Sequence, residues 1–259
     1  MSEAVGPRRR RRGARAALVV AIVLVLVVIA AVVGDSVARR AVADRAAASL
    51  REALALPADH AVDVDVAGWA VLPQLLRGRL DRLDLRSSDV SFGELDGDVA
   101  ATLVGVPVSG DGTVDSGTAT VDIDAASVST LVTERSTVPV DDVTLDPPLV
   151  RVTASVDVLG LSLGAGIGLG LAAVDGAIEL TPQEVSAAGA TFSATQFRER
   201  FGAVSGDLLA PSTVCIADSV PRGLTLTGVE VARDSMDATF ALSPSFLSDP
   251  AEQETGSCS

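Results

Sequence analysis

The apolar positions of this chain begin with an unbroken run at residues 16–33, which has no charged residue, no proline and no hydroxyl group. At about 1.5 Å of rise per residue, a helix of this length spans roughly 27 Å, close to the hydrocarbon thickness of a bilayer. Arginines crowd the residues just before the run, and such residues mark the cytoplasmic side of a membrane span. The pattern predicts a transmembrane anchor at 16–33, with an Arg-rich cytoplasmic tail at 1–15 and everything after Gly34 exported.

The same run has a second interpretation, a signal peptide that is cleaved after export. Signal peptides have an apolar core of about 7–15 residues, followed by a cleavage site of small residues. Here the run is longer, and no clean Ala-x-Ala site follows it. We therefore favour an uncleaved anchor. No cysteine lies just after the run, which argues against a lipoprotein anchor.

Helical periodicity continues from residue 35 to residue 56, a segment rich in strong helix formers. One face is apolar and the other is charged, although Arg39 interrupts the apolar face near its membrane end. The apolar face consists of Ala38, Val42, Ala46, Leu50, Ala53 and Leu54. Two interpretations fit this segment: a stalk beside the membrane, or a core helix that a sheet covers. The regular apolar face favours the core helix.

Beyond Pro57 the period of the apolar positions changes to two, which is typical of strands with one buried face. The alternation is clearest at Val62–Val66, at residues 119–123 and at residues 150–158. The pair Asp96-Gly97 predicts a turn. These patterns predict an exported part that is mostly antiparallel β.

Four further segments complete this prediction. Asp124 is a suitable N-cap for a helix to about Arg135, and a short helix is expected at 195–204. At residues 160–171 glycine alternates with leucine or isoleucine, which indicates a continuous strand whose glycines allow bending or close approach of another surface. Apart from Cys258, the polar tail at 243–259 is expected to be disordered.

The net charge of the exported part restricts the kinds of molecule that it can bind. The whole chain carries a formal charge of −14, but the part after Gly34 has 14 basic and 33 acidic residues, a charge of −19. Such a surface repels nucleic acid and anionic lipid headgroups alike. Any contact with lipid must therefore be driven by burial of apolar groups.

The two cysteines, Cys215 and Cys258, are an even pair in an exported protein and predict a disulfide. This bridge would tie the polar tail to the body of the domain. With a single histidine in the chain, a zinc site is not expected. The pairs Asp63/Asp65 and Asp122/Asp124 are interpreted as solvated surface and not as calcium ligands.

No motif in the chain supports catalysis. Residues 160–164 match the G-x-S-x-G motif around Ser162, but that motif requires a following helix and a downstream histidine. A strand is predicted instead, and His60, expected to be a solvated loop residue, lies about 100 residues upstream. The glycine run likewise lacks the helix that follows a phosphate-binding loop. We expect neither an enzyme nor a bound metal or cofactor.

Several sequence segments carry a family resemblance. The anchor and the helix after it are followed by Val62-Asp-Val-Asp-Val-Ala-Gly68, Leu72-Pro-Gln-Leu-Leu-Arg-Gly78, Leu80-Asp-Arg-Leu-Asp-Leu85 and Val220-Pro-Arg-Gly-Leu-Thr-Leu-Thr-Gly-Val229. Over residues 36–242, this order resembles the LmeA-like phospholipid-binding proteins of actinobacterial cell envelopes. The acidic exported part and the Gly/Leu alternation have no match in that resemblance.

The resemblance implies an α+β, TULIP-like fold at residues 35–242, in which a curved antiparallel sheet is rolled around a long helix and leaves an apolar channel. It implies binding of phospholipid, contact with the membrane, and support of envelope glycolipid synthesis. The alternative is an envelope scaffold that lacks a lipid cavity and holds a glycosyltransferase through its exposed sheet edges or its acidic surface.

The candidate lipid-binding residues are apolar and lie beside the openings expected of such a channel. They are Trp69, Leu72, Leu75, Leu76, Phe92, Leu131, Phe197 and Phe201. Each is also typical of ordinary core, and Trp69 has a further interpretation as part of an exposed patch that touches a membrane.

Overall fold

A computed structural model of the chain describes residues 10–53, 56–92, 95–109, 112–136, 139–158, 161–187, 189–202, 206 and 209–258. Residues 1–9, Leu54 and Gly160 lie outside this set, and the side chains of α1 are described from Val23 to Glu52, so that of Ala53 also lies outside it. The helices are α1 (Arg10–Ala53), α2 (Leu72–Arg77), α3 (Ala125–Arg135), α4 (Ala194–Phe201) and α5 (Pro250–Gln253). The strands are β1 (Val62–Val66), β2 (Arg79–Phe92), β3 (Leu95–Pro107), β4 (Ser116–Asp124), β5 (Asp142–Asp146), β6 (Leu149–Val158), β7 (Leu161–Val174), β8 (Ala177–Ala187), β9 (Ala190–Ser193), β10 (Ser212–Val214), β11 (Leu224–Val231) and β12 (Ser235–Leu242).

The strands form two antiparallel sheets, which confirms the α+β class. Sheet I has the order β1-β2-β3-β4-β12-β11, and sheet II has the order β10-β8-β7-β6-β5, with β9 paired to β8. The family resemblance implies one curved sheet. The chain instead leaves sheet I through α3 after β4, builds sheet II, and returns to place β12 beside β4. Alternation along a strand specifies its buried face but not its partner, which is why the division was not predicted.

The second half of α1 packs on sheet I along one face, which favours the core-helix interpretation of that segment over a free stalk. Val42, Ala46 and Leu50 lie against a buried cluster that spans β1, β2 and β3. Arg39, which interrupts the apolar face, donates hydrogen bonds to the carbonyl oxygens of Val66 and Gly68. A break in the apolar pattern is therefore the point at which the helix is fastened to the end of β1.

Among the side chains that the structure describes, which in α1 begin at Val23, no helix is apolar over a sufficient length to cross a membrane. The transmembrane helix expected at 16–33 is therefore unconfirmed.

Both sheets direct their apolar faces inwards, and the two meet through β11 and β7. Leu226, Ala238 and Phe240 of sheet I form a buried cluster that includes Ala173 and Ile178 of sheet II. A second cluster, around Val128 of α3, joins the ends of the two sheets. Helix α3 begins as predicted, because the Asp124 carboxylate accepts a hydrogen bond of 2.6 Å from the Ser127 amide.

The glycine-alternating segment is one continuous strand, as predicted. A Cβ atom added at Gly168 would lie 3.2 Å from the side chains of both Glu184 and Leu149. At Gly170 it would lie 2.0 Å from Nε2 of Gln183. These glycines therefore leave room for side chains of the neighbouring strands on the outer face of sheet II.

The end of the chain is ordered, so the expectation of disorder from Ser243 onward is wrong as far as Cys258. Helix α5 lies in it, and Thr255 forms a β-bridge with Pro221. Cys258 is bonded to Cys215, which confirms the predicted disulfide. Composition suggested a free tail because the segment is polar, but backbone hydrogen bonds from Arg222 and Gly223 hold it.

Candidate lipid-contacting surfaces

The predicted lipid-binding residues lie in separate parts of the molecule. Four of them, Trp69, Leu72, Leu75 and Leu76, lie on α2 or just before it, at the end of sheet I where β1 ends and β2 begins. Leu131 lies on α3, and Phe197 and Phe201 lie on α4 beside sheet II. The side chain of Phe92 is outside those that the structure describes.

The α2 segment exposes most of its predicted residues. Trp69 is 92% exposed, Leu76 is 89% exposed and Leu72 is 37% exposed. Only Leu75 packs against the core of sheet I. Trp69 is therefore exposed and is not part of the core.

Gln74 holds this segment in place, a role that the sequence analysis missed. Its side chain is almost fully buried; the amide group donates to the carbonyl oxygens of Ala67 and Ala70, each at 3.0 Å. Its carbonyl oxygen accepts from the Asp81 amide at 2.8 Å. A polar residue between Pro73 and two leucines was the available signal, since a buried amide must find partners.

Asp35 fastens the same segment to α1. Its carboxylate accepts hydrogen bonds from the amides of Val71 and Leu72, at 2.5 and 2.9 Å. The Leu72 hydrogen bond is the main cause that lowers the pKa of Asp35, and the Val71 amide and the Arg39 guanidinium act in the same direction. The carboxylate is therefore the stable form of this group, and it holds the start of α2 against the helix.

The inner face of sheet II presents a continuous apolar row across five strands. The register places Val143, Val152, Ile167, Val185 and Phe192 side by side, from β5 to β9. The β5 end of the row packs against the cluster around α3. Ile167 and its neighbour on the same face, Leu169, remain half-buried. Apolar surface therefore continues past the contact between the two sheets.

Three phenylalanines close the other end of that row. The rings of Phe197 and Phe201 lie 4.5 Å apart, and Phe192 lies 6.5 and 6.4 Å from them. The i, i+4 spacing on α4 brings Phe197 and Phe201 together, and Arg200 lies 5.1 Å from the centre of the Phe192 ring. Phe201 is half exposed, so the cluster also reaches the surface.

Two cavities open on the described residues. The larger, of about 430 Å³, is a broad cleft lined by Ala48, Arg51, Glu52, Leu56 and Ala58. The smaller, of about 20 Å³, is lined by glycines and by polar and charged side chains of β6, β7 and β8, together with Val152 and Ile167 of the apolar row. Neither is lined by the predicted lipid-binding residues.

Comparison with known proteins decides the family. A family model described as LmeA-like phospholipid-binding matches residues 33–241, close to the range over which the resemblance was noted. The chain belongs to this family. No curated protein and no solved structure matches the chain.

In this LmeA-like chain, His60 and Asp237 interact with neighbouring side chains of the fold. Among the described residues, no group of three or more possible metal ligands is assembled. His60 is part-buried and not freely solvated as expected, because Nε2 lies 3.1 Å from Oγ of Ser87 and its carbonyl oxygen accepts from Arg51. Burial, together with the neighbouring carboxyls of Asp122 and Glu230, raises the pKa of Asp237 on the outer face of sheet I.

Proposed function

We propose that this protein is a membrane-anchored, exported phospholipid-binding or lipid-transfer protein of the cell envelope, without enzymatic activity. Its family membership supports the choice of phospholipid as ligand. The acyl chains lie on the inner face of sheet II, between α3 and the phenylalanine cluster of Phe192, Phe197 and Phe201. In this role the protein supports envelope glycolipid synthesis.

The anchor is residues 16–33, with the N-terminus in the cytoplasm and the domain outside. The aliphatic side chains at 23–29 and 32–33 are each more than half exposed, as those of a lipid-facing helix must be. Helix α1 runs without interruption from this segment into the domain, so the anchor holds the domain at the bilayer surface.

The observation that carries lipid binding is the half-buried inner face around Ile167 and Leu169. Apolar side chains that the protein itself does not cover are available to a hydrocarbon chain. Each buried CH₂ contributes about 0.8 kcal/mol, so a chain of ordinary length binds there without any specific polar contact. This suits a domain whose charge of −19 disfavours anionic headgroups.

The alternative function, an envelope scaffold without a lipid cavity, is favoured by a different observation. Apolar side chains of sheet I, of α3 and of the contact between the sheets are buried in three clusters. The two functions differ in whether lipid reaches sheet II.

Photo-crosslinking distinguishes the two functions. The full chain is reconstituted in vesicles that contain a phospholipid with a photoactivatable acyl chain, and the crosslinked peptides are mapped by mass spectrometry. We expect crosslinks both in residues 16–33 and in β7, β8 or α4. Crosslinks that are confined to residues 16–33 would support the scaffold and contradict lipid binding by the domain.

Two variants of one strand test the site itself. Ile167→Gln places an amide on the inner face and should remove most of the β7 and β8 crosslinks. Val174→Gln makes a similar change at an exposed position on the outer face of the same strand and should leave them unchanged. Equal yields from both variants would show that the lipid does not use the inner face.

A further inference from the structure

Four exposed apolar side chains gather at the end of sheet I where α2 lies, and we call them the proximal patch. They are Trp69, Leu72, Leu76 and Val108, with exposures of 92%, 37%, 89% and 45%. Val108 joins the other three because its amide donates a hydrogen bond of 3.0 Å to the carbonyl oxygen of Gly78, directly after α2. Exposed apolar groups that cluster in this way usually mark a site of interaction.

The patch is fixed to α1 within two residues of the end of the apolar run. A Cβ atom added at Gly34 would lie 3.5 Å from Cδ1 of Leu72. The hydrogen bonds of Asp35 to the Val71 and Leu72 amides hold the same point. One turn further along α1, Arg39 binds the carbonyl oxygen of Gly68, immediately before Trp69. The patch therefore lies where α1 leaves the proposed anchor.

The charges around the patch are neutralised in pairs. Arg39 lies 3.6 Å from Asp35, Arg77 lies 3.9 Å from Asp81, and Arg79 lies 2.8 Å from Asp115. The domain as a whole is strongly acidic, yet these carboxylates at the patch each have a cation beside them. Repulsion from anionic headgroups is thereby reduced at this end of the domain.

We propose that the proximal patch inserts into the interface of the bilayer that holds the anchor, so that the domain is docked on the membrane in one orientation. This inference rests on the proposed anchor at 16–33. Tryptophan favours the boundary between headgroups and acyl chains, where its ring is buried and its N–H stays hydrated. The occupant is a lipid surface because α1 brings the patch to the bilayer whenever the anchor spans it.

Docking fixes the distance of the rest of the domain from the leaflet. Strands of sheet I such as β4, with nine residues, are about 30 Å long, and α3 lies at their far end. The proximal end of sheet I then faces the leaflet, while α3 points away from it. A lipid that leaves the leaflet meets the domain from the patch side.

The experiment uses Trp69, the single tryptophan of the chain, as its own probe. The full chain is reconstituted in phosphatidylcholine vesicles, with or without phosphatidylcholine brominated at the 6,7 positions of an acyl chain. We expect a blue-shifted emission, strong quenching by the brominated lipid and weak quenching by acrylamide. Emission of a hydrated indole, unquenched by brominated lipid while the chain floats with the vesicles, would overturn the proposal.

Variants of the patch and of the probe sharpen this result. Leu76→Gln should lower the ratio of inserted to withdrawn domain by about tenfold or more, since burial of one leucine is lost, whereas Leu76→Met should retain the quenching. Moving the probe in the double variant Trp69→Phe, Thr130→Trp places it on an exposed position of α3, where brominated lipid should not quench it. Equal quenching at both probe positions would contradict the single orientation.

Other outcomes test the docking of the patch separately from the proposed anchor and from lipid binding. A chain that does not float with vesicles would refute the anchor and, with it, the docking. A blue shift that depends on the ratio of chain to lipid, without quenching by brominated lipid, would show that a second copy of the chain covers the patch and would refute insertion. Crosslinks in sheet II report lipid binding independently of both.

Discussion

Single residues decide how the two ends of sheet I are used. At the proximal end, Gln74 has every polar atom of its side chain in a hydrogen bond, so that the backbone before α2 is fixed while Trp69 is left in solvent. At the other end, the outer face of the sheet places acidic residues opposite each other: Asp237 faces Asp122 on one side and Glu230 on the other. The hydrogen bonds of Gln74 are therefore all formed, whereas repulsion between the carboxylates around Asp237 lowers the stability of the folded protein at neutral pH.

That repulsion predicts a pH-dependent stabilisation by Asp237→Asn. The raised pKa of Asp237 means that the protonated form is favoured in the folded protein, so its contribution to stability is present below a pH of about 3.8 and is lost as pH rises through the folded-state pKa. At pH 7 the variant should be more stable than the parent by up to about 1 kcal/mol, and the gain should vanish in acid. Urea unfolding followed by circular dichroism across pH measures this difference.

The matched control is Asp63→Asn on β1, because Asp63 lies opposite Arg86 and not opposite another carboxylate. That variant should be neutral or slightly less stable at pH 7. If Asp63→Asn stabilises the protein as much as Asp237→Asn does, general relief of negative charge is the cause and the cross-strand pair is not.

At the scale of the elements, glycines show how closely two strands approach each other. The pair Asp96-Gly97 was interpreted as a turn, but the structure places both residues inside β3. A Cβ atom at Gly97 would lie 2.4 Å from the carbonyl oxygen of Asp122 on β4. The backbone of the neighbouring strand, and not a turn, requires glycine at this position.

This close approach predicts that Gly97→Ala destabilises the protein by about 1–3 kcal/mol, since backbone must move to admit the methyl group. Gly164→Ala on β7 is the control, because no atom outside its immediate neighbours lies within 4 Å of the added Cβ. There alanine should be neutral or stabilise by about 0.5–1 kcal/mol, because it restricts the unfolded chain. Denaturant midpoints that fall equally in both variants would contradict a specific contact at Gly97.

Alternating patterns predict the elements and their buried faces, but they do not predict which strands pair. The buried faces of β1, β4 and β6, the apolar face of α1 and the cap at Asp124 all follow from local spacing, and the structure has them. The division into two sheets depends on which strand of sheet I the chain pairs with after β10. No local pattern specifies such a long-range pairing. The exposure of Trp69 could not be predicted for a similar reason, because the apolar character of a side chain does not determine whether other residues bury it.

At the scale of the whole molecule, the two ends of the chain are attached to the same sheet. Helix α1 is fastened to the proximal end of β1 through Arg39. The C-terminal segment is fastened beside the start of β11, where the amides of Arg222 and Gly223 donate to the carbonyl oxygens of Glu254 and Glu252 at 2.9 Å. The disulfide closes this second attachment from Cys215, which lies between β10 and β11.

The disulfide therefore contributes to the stability of the entire domain and not only to that of its tail. It joins residues 43 apart, and the chain-entropy relation gives about 4 kcal/mol for a loop of that length. Cys258→Ser should lower the free energy of unfolding by about 2–4 kcal/mol, because backbone hydrogen bonds retain part of the attachment. Denaturant unfolding measures the loss, and hydrogen exchange should show faster exchange of the Glu252 and Gly256 amides. The double variant Cys215→Ser, Cys258→Ser should match the single variant, whereas a loss confined to hydrogen exchange would show that the bridge holds the tail alone.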